Sequence, residues 1–320
     1  MKYLKIIIMT VLVAAMGACN SNEIFEREQY KNVVAVLSEG TFNIFAEEHD
    51  LAGGDVEGYT DGFIAASVGG VLVTAQPITL SIVEDESLFH AYNMNNFDTE
   101  SYRYARRLSE DRYVVEQPFI SIPESERGGT MRIRMKVNGL SPDSVYLIPF
   151  RVHQCSAHEL NQQKSTVLYR IYLKNFWAST TSIPSYNHRG LRTEGTGVPV
   201  NTMMQKAVHP VAGNAVRIFA GNSTFAANEK SIVQWGIQLT MDANSHVTIS
   251  PWDTSPFGMQ VKQVDGDLDY PNIFKLIDDG FGRVFKTFLL CYEYVDPTNN
   301  VTYMMKEELR TEYVKNNRNQ

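Results

Sequence analysis

The sequence predicts an all-β protein of two domains: an N-terminal immunoglobulin-like β-sandwich over 32–177, followed by a second antiparallel β-barrel or sandwich over 193–315. Two observations favour this class. Short β-branched and aromatic runs alternate with Gly-, Asp- and Asn-containing turns along the whole chain, as in β-sandwiches. No apolar period of 3.6 residues is sustained, apart from one short helix expected over 87–93. A chain of 320 residues is long enough for two such cores.

The clearest strand of the first domain is predicted at 131–137, where apolar and basic residues alternate. Its apolar face consists of Met131, Ile133, Met135 and Val137. Two more strands are expected at 145–153 and 166–176. Pro149 lies inside the first of these and has no backbone N–H, so we expect that strand at a sheet edge or with a bulge.

The second domain is predicted to contain two long hairpins, 233–241 with 246–250 and 285–295 with 301–305. A polar stretch rich in Ser, Thr, Pro and Gly over 178–192 predicts the linker between the domains. The chain becomes polar again from residue 307, where we expect a frayed tail.

The N-terminus has the pattern of a secretory signal that ends at a cysteine. It contains Lys2 and Lys5, an apolar run over 6–16, and the small residues Gly17 and Ala18 ahead of Cys19. This order predicts a bacterial lipoprotein signal peptide over 1–18, lipidation of Cys19 and a polar anchoring linker over 19–31. A transmembrane anchor is the alternative, but the apolar run is shorter than the roughly 20 residues that span a bilayer.

The net charge and the number of cysteines limit the binding partners and the disulfides that the chain is expected to have. The net charge is −7 and no basic block occurs, so we expect no nucleic acid partner, and membrane contact only through the N-terminal lipid. Apart from the lipidation site, the chain has Cys155 and Cys291, one in each predicted domain. We expect two free, mostly buried thiols.

Motifs for catalysis and metal binding are weak. No Gly-x-Ser-x-Gly elbow and no phosphate-binding glycine loop occur, so no catalytic residue and no cofactor is predicted. A glycosidase needs only two carboxylates brought together by the fold, so the hydrolase class stays open as a minority alternative. The possible zinc ligands His153, Cys155, His158 and Glu159 match no standard spacing. Asp265, Asp267 and Asp269 could bind calcium, but a solvated acidic turn is favoured, and no metal site is predicted.

Loop aromatics are the candidates for sugar binding, since the C–H face of a sugar stacks on a ring while amides and carboxylates bind its hydroxyls. Trp252, between two prolines, is the first candidate, with Asp253 as its hydroxyl partner. Trp177 and Tyr186 at the predicted domain junction come second. Aromatics in strands and junctions usually pack cores, and Trp235 is interpreted in that way.

Five stretches carry a resemblance to a known family. They are ITLSIVEDESLFHAYN at 78–93, DSVYLIPFRV at 143–152, KSTVLYRIYLKNFW at 164–177, VFKTFLLCYEYVDP at 284–297 and MMKEELR at 304–310. Together with the lipobox cysteine, the first three resemble Bacteroidetes surface lipoproteins whose β-sandwich N-terminal domain, of unknown function, also precedes glycan-binding and glycoside hydrolase modules. The last two are similar to the barrel-like C-terminal domain that follows it.

The resemblance implies a non-catalytic protein, lipid-anchored in the outer membrane and exposed at the cell surface. It implies capture of a polysaccharide or host glycan beside other outer-membrane surface proteins, and it carries over no catalytic residue. The alternative class is an adhesin or a structural subunit of a surface assembly. That class predicts protein partners and an exposed sheet edge able to accept a strand, which Pro149 would mark.

Overall fold

The computed structural model describes residues 32–70 and 74–314. The first domain contains β1 (Val33–Val36), β2 (Ile44–Asp50), β3 (Thr60–Gly69), β4 (Ile78–Glu84), helix α1 (Glu86–Phe97), β5 (Arg106–Arg107), β6 (Tyr113–Val114), β7 (Phe119–Ile122), β8 (Gly128–Met135), β9 (Tyr146–Cys155), β10 (Glu159–Leu160) and β11 (Thr166–Lys174). Among the described residues these strands form one sheet in the order β10-β1-β3-β8-β7-β4-β9-β11-β2, with β5 on β9 and β6 on β8.

This sheet curls so that its two halves enclose a single core. Ile64 on β3 and Ile133 on β8 belong to the same buried cluster as Ile148 on β9 and Tyr169 on β11. The two layers of the predicted sandwich are therefore halves of one continuous sheet. On the outer face, α1 covers β9 and β11. The helix begins at its N-cap Asp85, whose side chain accepts a hydrogen bond from the Ser87 backbone N–H, and it includes the predicted helical segment 87–93.

The strand predicted at 131–137 is confirmed as β8, with the expected alternation of buried and exposed residues. The prediction of a sheet edge at Pro149 is wrong, because β9 lies between β4 and β11. The missing N–H is tolerated there for two reasons. The Leu168 N–H opposite Pro149 donates away from it, to the Asn43 carbonyl, and β4 ends at Glu84, just before the position that would face Pro149. The other alternative predicted for this strand, a bulge, is confirmed, because the register of the β4–β9 pair shifts at His153 of β9.

The second domain contains β12 (Ser185–Glu194), β13 (Val200–Ala207), β14 (His209–Ala212), β15 (Ala215–Phe219), helix α2 (Glu229–Trp235), β16 (Gly236–Met241), β17 (Val247–Pro251), β18 (Val261–Gln263), β19 (Ile273–Asp278), β20 (Val284–Asp296) and β21 (Val301–Glu312). In the part of the chain that the structure describes, they form a six-stranded sheet, β13-β12-β21-β20-β18 with β19 on β20, and a four-stranded sheet, β14-β15-β16-β17. Ile218 and Leu239 of the smaller sheet share one buried cluster with Leu290 and Leu309 of the larger. The prediction of an all-β, two-domain protein is confirmed.

Three boundaries in the second half differ from the sequence-based expectations. The linker predicted at 178–192 is too long, because β12 begins at Ser185. Trp235 ends α2, which Asn228 caps, so the strand expected from residue 233 begins only at Gly236. The tail expected to fray from residue 307 continues as β21, since Glu307 and Leu309 are fully buried. Both predicted hairpins, β16–β17 and β20–β21, are present.

The domains meet directly at a junction formed by loops. Asn175, which follows β11, donates its side-chain amide N–H groups to the carbonyls of Ala212 (2.8 Å) and Ala215 (2.9 Å) in the second domain. Gly213 lies so close to Ala52 of the first domain that a Cβ there would be 2.6 Å from the Ala52 Cα. Only glycine fits this contact, so backbone packs on backbone across the junction.

The predicted signal peptide, Cys19 and the linker 19–31 lie outside the described residues. Within 32–70 and 74–314, no helix is long and apolar enough to cross a membrane.

Candidate functional site

Trp252, the first candidate for sugar binding, lies directly after β17 and is half-buried. The Arg217 guanidinium lies over its ring, 5.0 Å from the centroid, so a cation already stacks on the indole. The Asp253 carboxylate closes its own turn by accepting a hydrogen bond from the Ser255 N–H at 2.7 Å. Hydrogen bonds from Ser255 hold the pKa of Asp253 below its ordinary value. Both predicted residues therefore have structural partners within the protein.

Tyr186 and Trp177, the second pair of candidates, pack inside the domain junction. Tyr186 is completely buried and its hydroxyl donates to the Trp177 carbonyl at 3.0 Å. Trp177 is half-buried and lies edge-on to Phe176 and Phe274, with centroids 5.5 and 5.6 Å away. The prediction of Tyr186 as an exposed sugar platform is wrong, because its position on β12 points into the core.

The possible metal ligands do not converge. Asp267 forms an ion pair with Lys306 at 2.5 Å, whereas Asp265 accepts hydrogen bonds from Gln263 and Asn272 at 2.6 and 3.1 Å. Within 32–70 and 74–314, no group of three or more His, Cys, Asp or Glu side chains is arranged to hold a metal ion. Cys155 and Cys291 are free thiols in separate domains. Cys291 is buried and Cys155 half-buried.

A different surface combines an exposed aromatic ring with polar side chains. We call it the arginine groove. It is a cavity of about 340 Å³ on the second domain, lined by Asn187, Arg189, Asp279, Phe281, Arg283, Phe285, Glu308 and Arg310. Its floor is the outer face of β12, β21 and β20, and its wall is the turn between β19 and β20.

Strand alternation explains the polar floor. In the antiparallel pair of β12 and β21, Asn187 lies opposite Arg310 and Arg189 opposite Glu308. On β12, His188 lies between Asn187 and Arg189 and is buried. Because side chains alternate between the two faces of a sheet, the buried row on one face places the polar row on the other.

Turn geometry explains the wall. The Asp279 carboxylate accepts hydrogen bonds from the Phe281 N–H (2.8 Å) and the Arg283 N–H (3.2 Å). Gly280 and Gly282 adopt positive φ values of 77° and 88°, which glycine tolerates. The tight turn leaves Phe281 at its tip, with its side chain 88% exposed. These two backbone hydrogen bonds, together with one from the Arg283 side chain, hold the pKa of Asp279 below its ordinary value.

Two arginines are fixed against the second aromatic ring of the groove. The Arg310 guanidinium lies 3.8 Å from the Phe285 ring centroid and that of Arg283 lies at 5.5 Å. Arg283 also binds the Asp279 carboxylate at 2.9 Å. Phe285 is thus partly covered by cations, whereas Phe281 offers an open face beside them.

A buried ionic cluster supports the groove from behind. Glu307 is fully buried and lies 2.5 Å from the Lys206 ammonium, and the Tyr292 hydroxyl donates to it at 2.7 Å. His188 Nδ1 lies 2.7 Å from the same carboxylate, close enough for an ion pair but not aligned as a hydrogen bond. Burial would raise the pKa of Glu307, but Lys206 and His188 outweigh it and lower this pKa. The cluster joins β12, β20 and β21, the strands of the groove floor, to the neighbouring strand β13.

A larger cleft, about 530 Å³, opens in the first domain between β4, β6 and β8. Its lining is mostly apolar, with the carboxylates Glu84 and Glu110 at its rim. Arg107 forms ion pairs with both, at 3.3 Å in the case of Glu110, and the Tyr113 hydroxyl donates to Glu84 at 2.6 Å. Burial, with Glu84, raises the pKa of Tyr113 above its ordinary value. Both cleft acids are therefore engaged in ion pairs.

The arginine groove was not predicted from the sequence. Asn187 and Arg189 lie within the stretch interpreted as a linker, and the floor residues on β21 lie at the start of the predicted tail. The turn Asp279-Gly-Phe-Gly-Arg283 was a usable signal, because an aromatic between two glycines at a turn is placed at the tip.

Comparison with known proteins indicates the class of protein to which the chain is similar. Two family models match the chain, one described as an N-terminal domain over residues 30–159 and one described as a C-terminal domain over residues 165–310. The fold and the order of the domains thus define a two-domain, all-β protein of the Bacteroidetes type. Together the two models cover most of the chain, the N-terminal domain model first and the C-terminal domain model after it. No curated protein matches the chain.

Solved structures share the fold. A multidomain protein including DUF1735 from Bacteroides ovatus is similar with a TM-score of 0.62 at 12% identity, covering 89% of this chain and 95% of that one. An auxiliary nutrient binding protein from Bacteroides thetaiotaomicron has a TM-score of 0.56 at 13% identity, covering 84% and 90%. A Bacteroides ovatus protein of unknown function has a TM-score of 0.55 at 14% identity, covering 90% and 95%.

Proposed function

We propose that this protein is a non-catalytic, cell-surface lipoprotein that captures a glycan in the arginine groove. The observation that carries the proposal is the open ring of Phe281 beside a row of fixed polar side chains. Stacking on the ring would bind the apolar face of a sugar, and the polar row would bind its hydroxyls.

The groove has the size and the hydrogen-bonding groups for this task. Its volume of about 340 Å³ lies within the range of small-ligand pockets, roughly 300–1,000 Å³. The Asn187 amide can donate and accept, and the Glu308 carboxylate accepts, so hydroxyls can be bound in either role. Strands rather than loops carry both residues, which keeps their positions fixed.

We place the site here rather than at Trp252 because the Trp252 ring already stacks on Arg217. The nutrient-binding description of one protein with the same fold is compatible with capture, but at 13% identity that likeness concerns the fold. The groove is therefore argued from its own residues.

Attachment to the outer membrane through Cys19, with exposure at the cell surface, is part of the proposal. It rests on the order of charged, apolar and small residues ahead of that cysteine. Replacing Cys19 with Ser is expected to release the protein from the membrane fraction of the cells. Retention of Cys19→Ser in that fraction would contradict the lipid anchor.

The direct test is retardation of the soluble 20–320 protein in native gels that contain plant, microbial or host polysaccharides. We expect retardation by at least one polysaccharide without release of new reducing ends, and loss of most of it in Phe281→Ala. Phe257→Ala is the matched control, because Phe257 is also an exposed ring (78%) but lies outside the groove, near Trp252. Migration unchanged by every polysaccharide, or equal loss in both variants, would overturn the proposal.

A second candidate function, a structural subunit of a surface assembly that polymerises with itself, is favoured by β13. Among the described residues this strand pairs with β12 along one side and lies at the end of the sheet. Val200 and Met203 on it are 60% and 76% exposed. A free edge with apolar side chains can accept a strand from a partner. Light scattering would detect concentration-dependent polymers that Met203→Lys abolishes, and a monomer at all concentrations would exclude self-assembly.

A further inference from the structure

Two guanidinium groups in the arginine groove have no carboxylate partner among the described residues. Arg189 is exposed, and Glu308, opposite it in the β12–β21 register, lies beyond ion-pair distance. Arg310 stacks on Phe285, and its Nε is buried without a hydrogen-bond partner. By contrast, Arg283 is already bound to Asp279.

The register places these two cations side by side. Because Arg189 faces Glu308 and Arg310 faces Asn187, the two arginines are diagonal neighbours on one face, with Cα atoms about 7–8 Å apart. Like charges at this spacing repel each other, and a guanidinium fork is suited to bidentate acceptors such as carboxylate. An anion bound between the two would remove the repulsion.

We infer that the groove binds an acidic glycan, whose sugar carboxylate or sulfate is shared by Arg189 and Arg310 while the sugar ring stacks on Phe281. The inference rests on the proposed function and names its ligand class. It also accounts for a paired Arg283: that residue holds the turn that carries Phe281, and the two unpaired arginines face the ligand.

Matched polysaccharides test the charge requirement. The soluble 20–320 protein is titrated with polygalacturonate and with its fully methyl-esterified form, and then with chondroitin sulfate and its desulfated form. If the arginines bind a carboxylate, polygalacturonate is expected to bind about tenfold more tightly than its methyl ester. If they bind a sulfate, the same difference is expected between chondroitin sulfate and its desulfated form. A difference in neither pair would overturn the inference.

Variants test the residues. Arg189→Gln and Arg310→Gln are each expected to remove most of the preference for the acidic form, and Phe281→Ala to weaken both forms. Arg106→Gln is the control, because it removes one exposed positive charge on the first domain, away from the groove. An equal loss in Arg106→Gln would show a general charge effect and contradict the inference.

The two proposals fail in different ways. If acidic and neutral forms bind equally and Phe281→Ala loses both, glycan capture in the groove stands and the acidic preference is wrong. If no polysaccharide binds at all, both are wrong. Circular dichroism of each variant establishes that it is folded, so that loss of binding is assigned to the side chain that was changed.

Discussion

Arg217 of the second domain and Asp143 of the first form a two-point ion pair across the domain junction. Both distances between guanidinium nitrogen and carboxylate oxygen are 2.6 Å, and Arg217 is fully buried. Trp252 covers the guanidinium, and Asn175 of the first domain also donates a hydrogen bond to the second domain. The residue expected to stack on a sugar instead covers the ion pair that holds the two domains together.

Asp143→Ala is expected to destabilise the protein by about 3 kcal/mol, because it leaves the buried Arg217 charge without its partner. Urea denaturation followed by tryptophan fluorescence measures this. The matched control is Glu100→Ala, which breaks a pair with Arg103 whose side chains are 54% and 48% exposed. That change is expected to cost far less, because solvent screens this exposed pair. Similar losses in both variants would contradict a stabilising ion pair at the junction.

His209 predicts a loss of stability in mild acid. Burial, followed by the charge of Arg217, lowers the pKa of His209 from 6.5 to about 4. The unfolded chain therefore binds a proton between pH 6.5 and 4 that the folded protein excludes, so stability falls as the pH drops through this window. From pH 7 to pH 5 we expect this residue to account for about 2 kcal/mol.

Denaturation curves of His209→Leu at these two pH values should show a smaller difference than those of the wild type. His153→Gln, at an exposed position in the first domain, should keep the wild-type difference. An unchanged pH dependence in His209→Leu would contradict the assignment.

Gly129 is expected to resist substitution because of its close backbone contact. A Cβ at this position would lie 2.1 Å from the Ser121 carbonyl oxygen on β7, whereas a Cβ at Gly128 would meet its nearest atom at an ordinary 3.5 Å. Gly129→Ala should therefore destabilise the protein by about 1–3 kcal/mol. Gly128→Ala, one residue away on the same strand, should stay within about 0.5 kcal/mol of the wild type. Equal stability of the two variants in thermal unfolding would show that β7 and β8 are not held this close.

The two thiols should react with Ellman's reagent at different rates in the folded 20–320 protein. Cys155 is half-buried and is expected to react first. Cys291 is 1% exposed, and burial raises its pKa, so it should react only as the protein unfolds. Cys155→Ser should remove the fast phase and Cys291→Ser the slow one. Absence of any reactive thiol after unfolding without a reductant would indicate a disulfide instead.

Local patterns in the sequence were sufficient to predict the class of fold and its clearest strands. Alternation at 131–137 and the pairing of 285–295 with 301–305 were sufficient, because a strand with one buried face repeats every two residues. The predicted domain boundaries also placed Cys155 and Cys291 in different domains, as the structure has them. These are local patterns, in which neighbouring residues carry the whole signal.

The positions of Pro149, Trp252 and the arginine groove depend on contacts between distant parts of the chain. Whether a strand is at an edge depends on which strands pair with it, and β4 and β11 come from distant parts of the chain. The groove joins β12, β20 and β21, whose side chains meet only through their register. In the sequence Trp252 is an isolated loop aromatic. In the fold its ring contacts Arg217, which pairs with Asp143, although these two residues are 35 and 109 positions away in the chain. Sites of this kind arise from non-local strand pairing, so their residues show no spacing that a linear pattern could reveal.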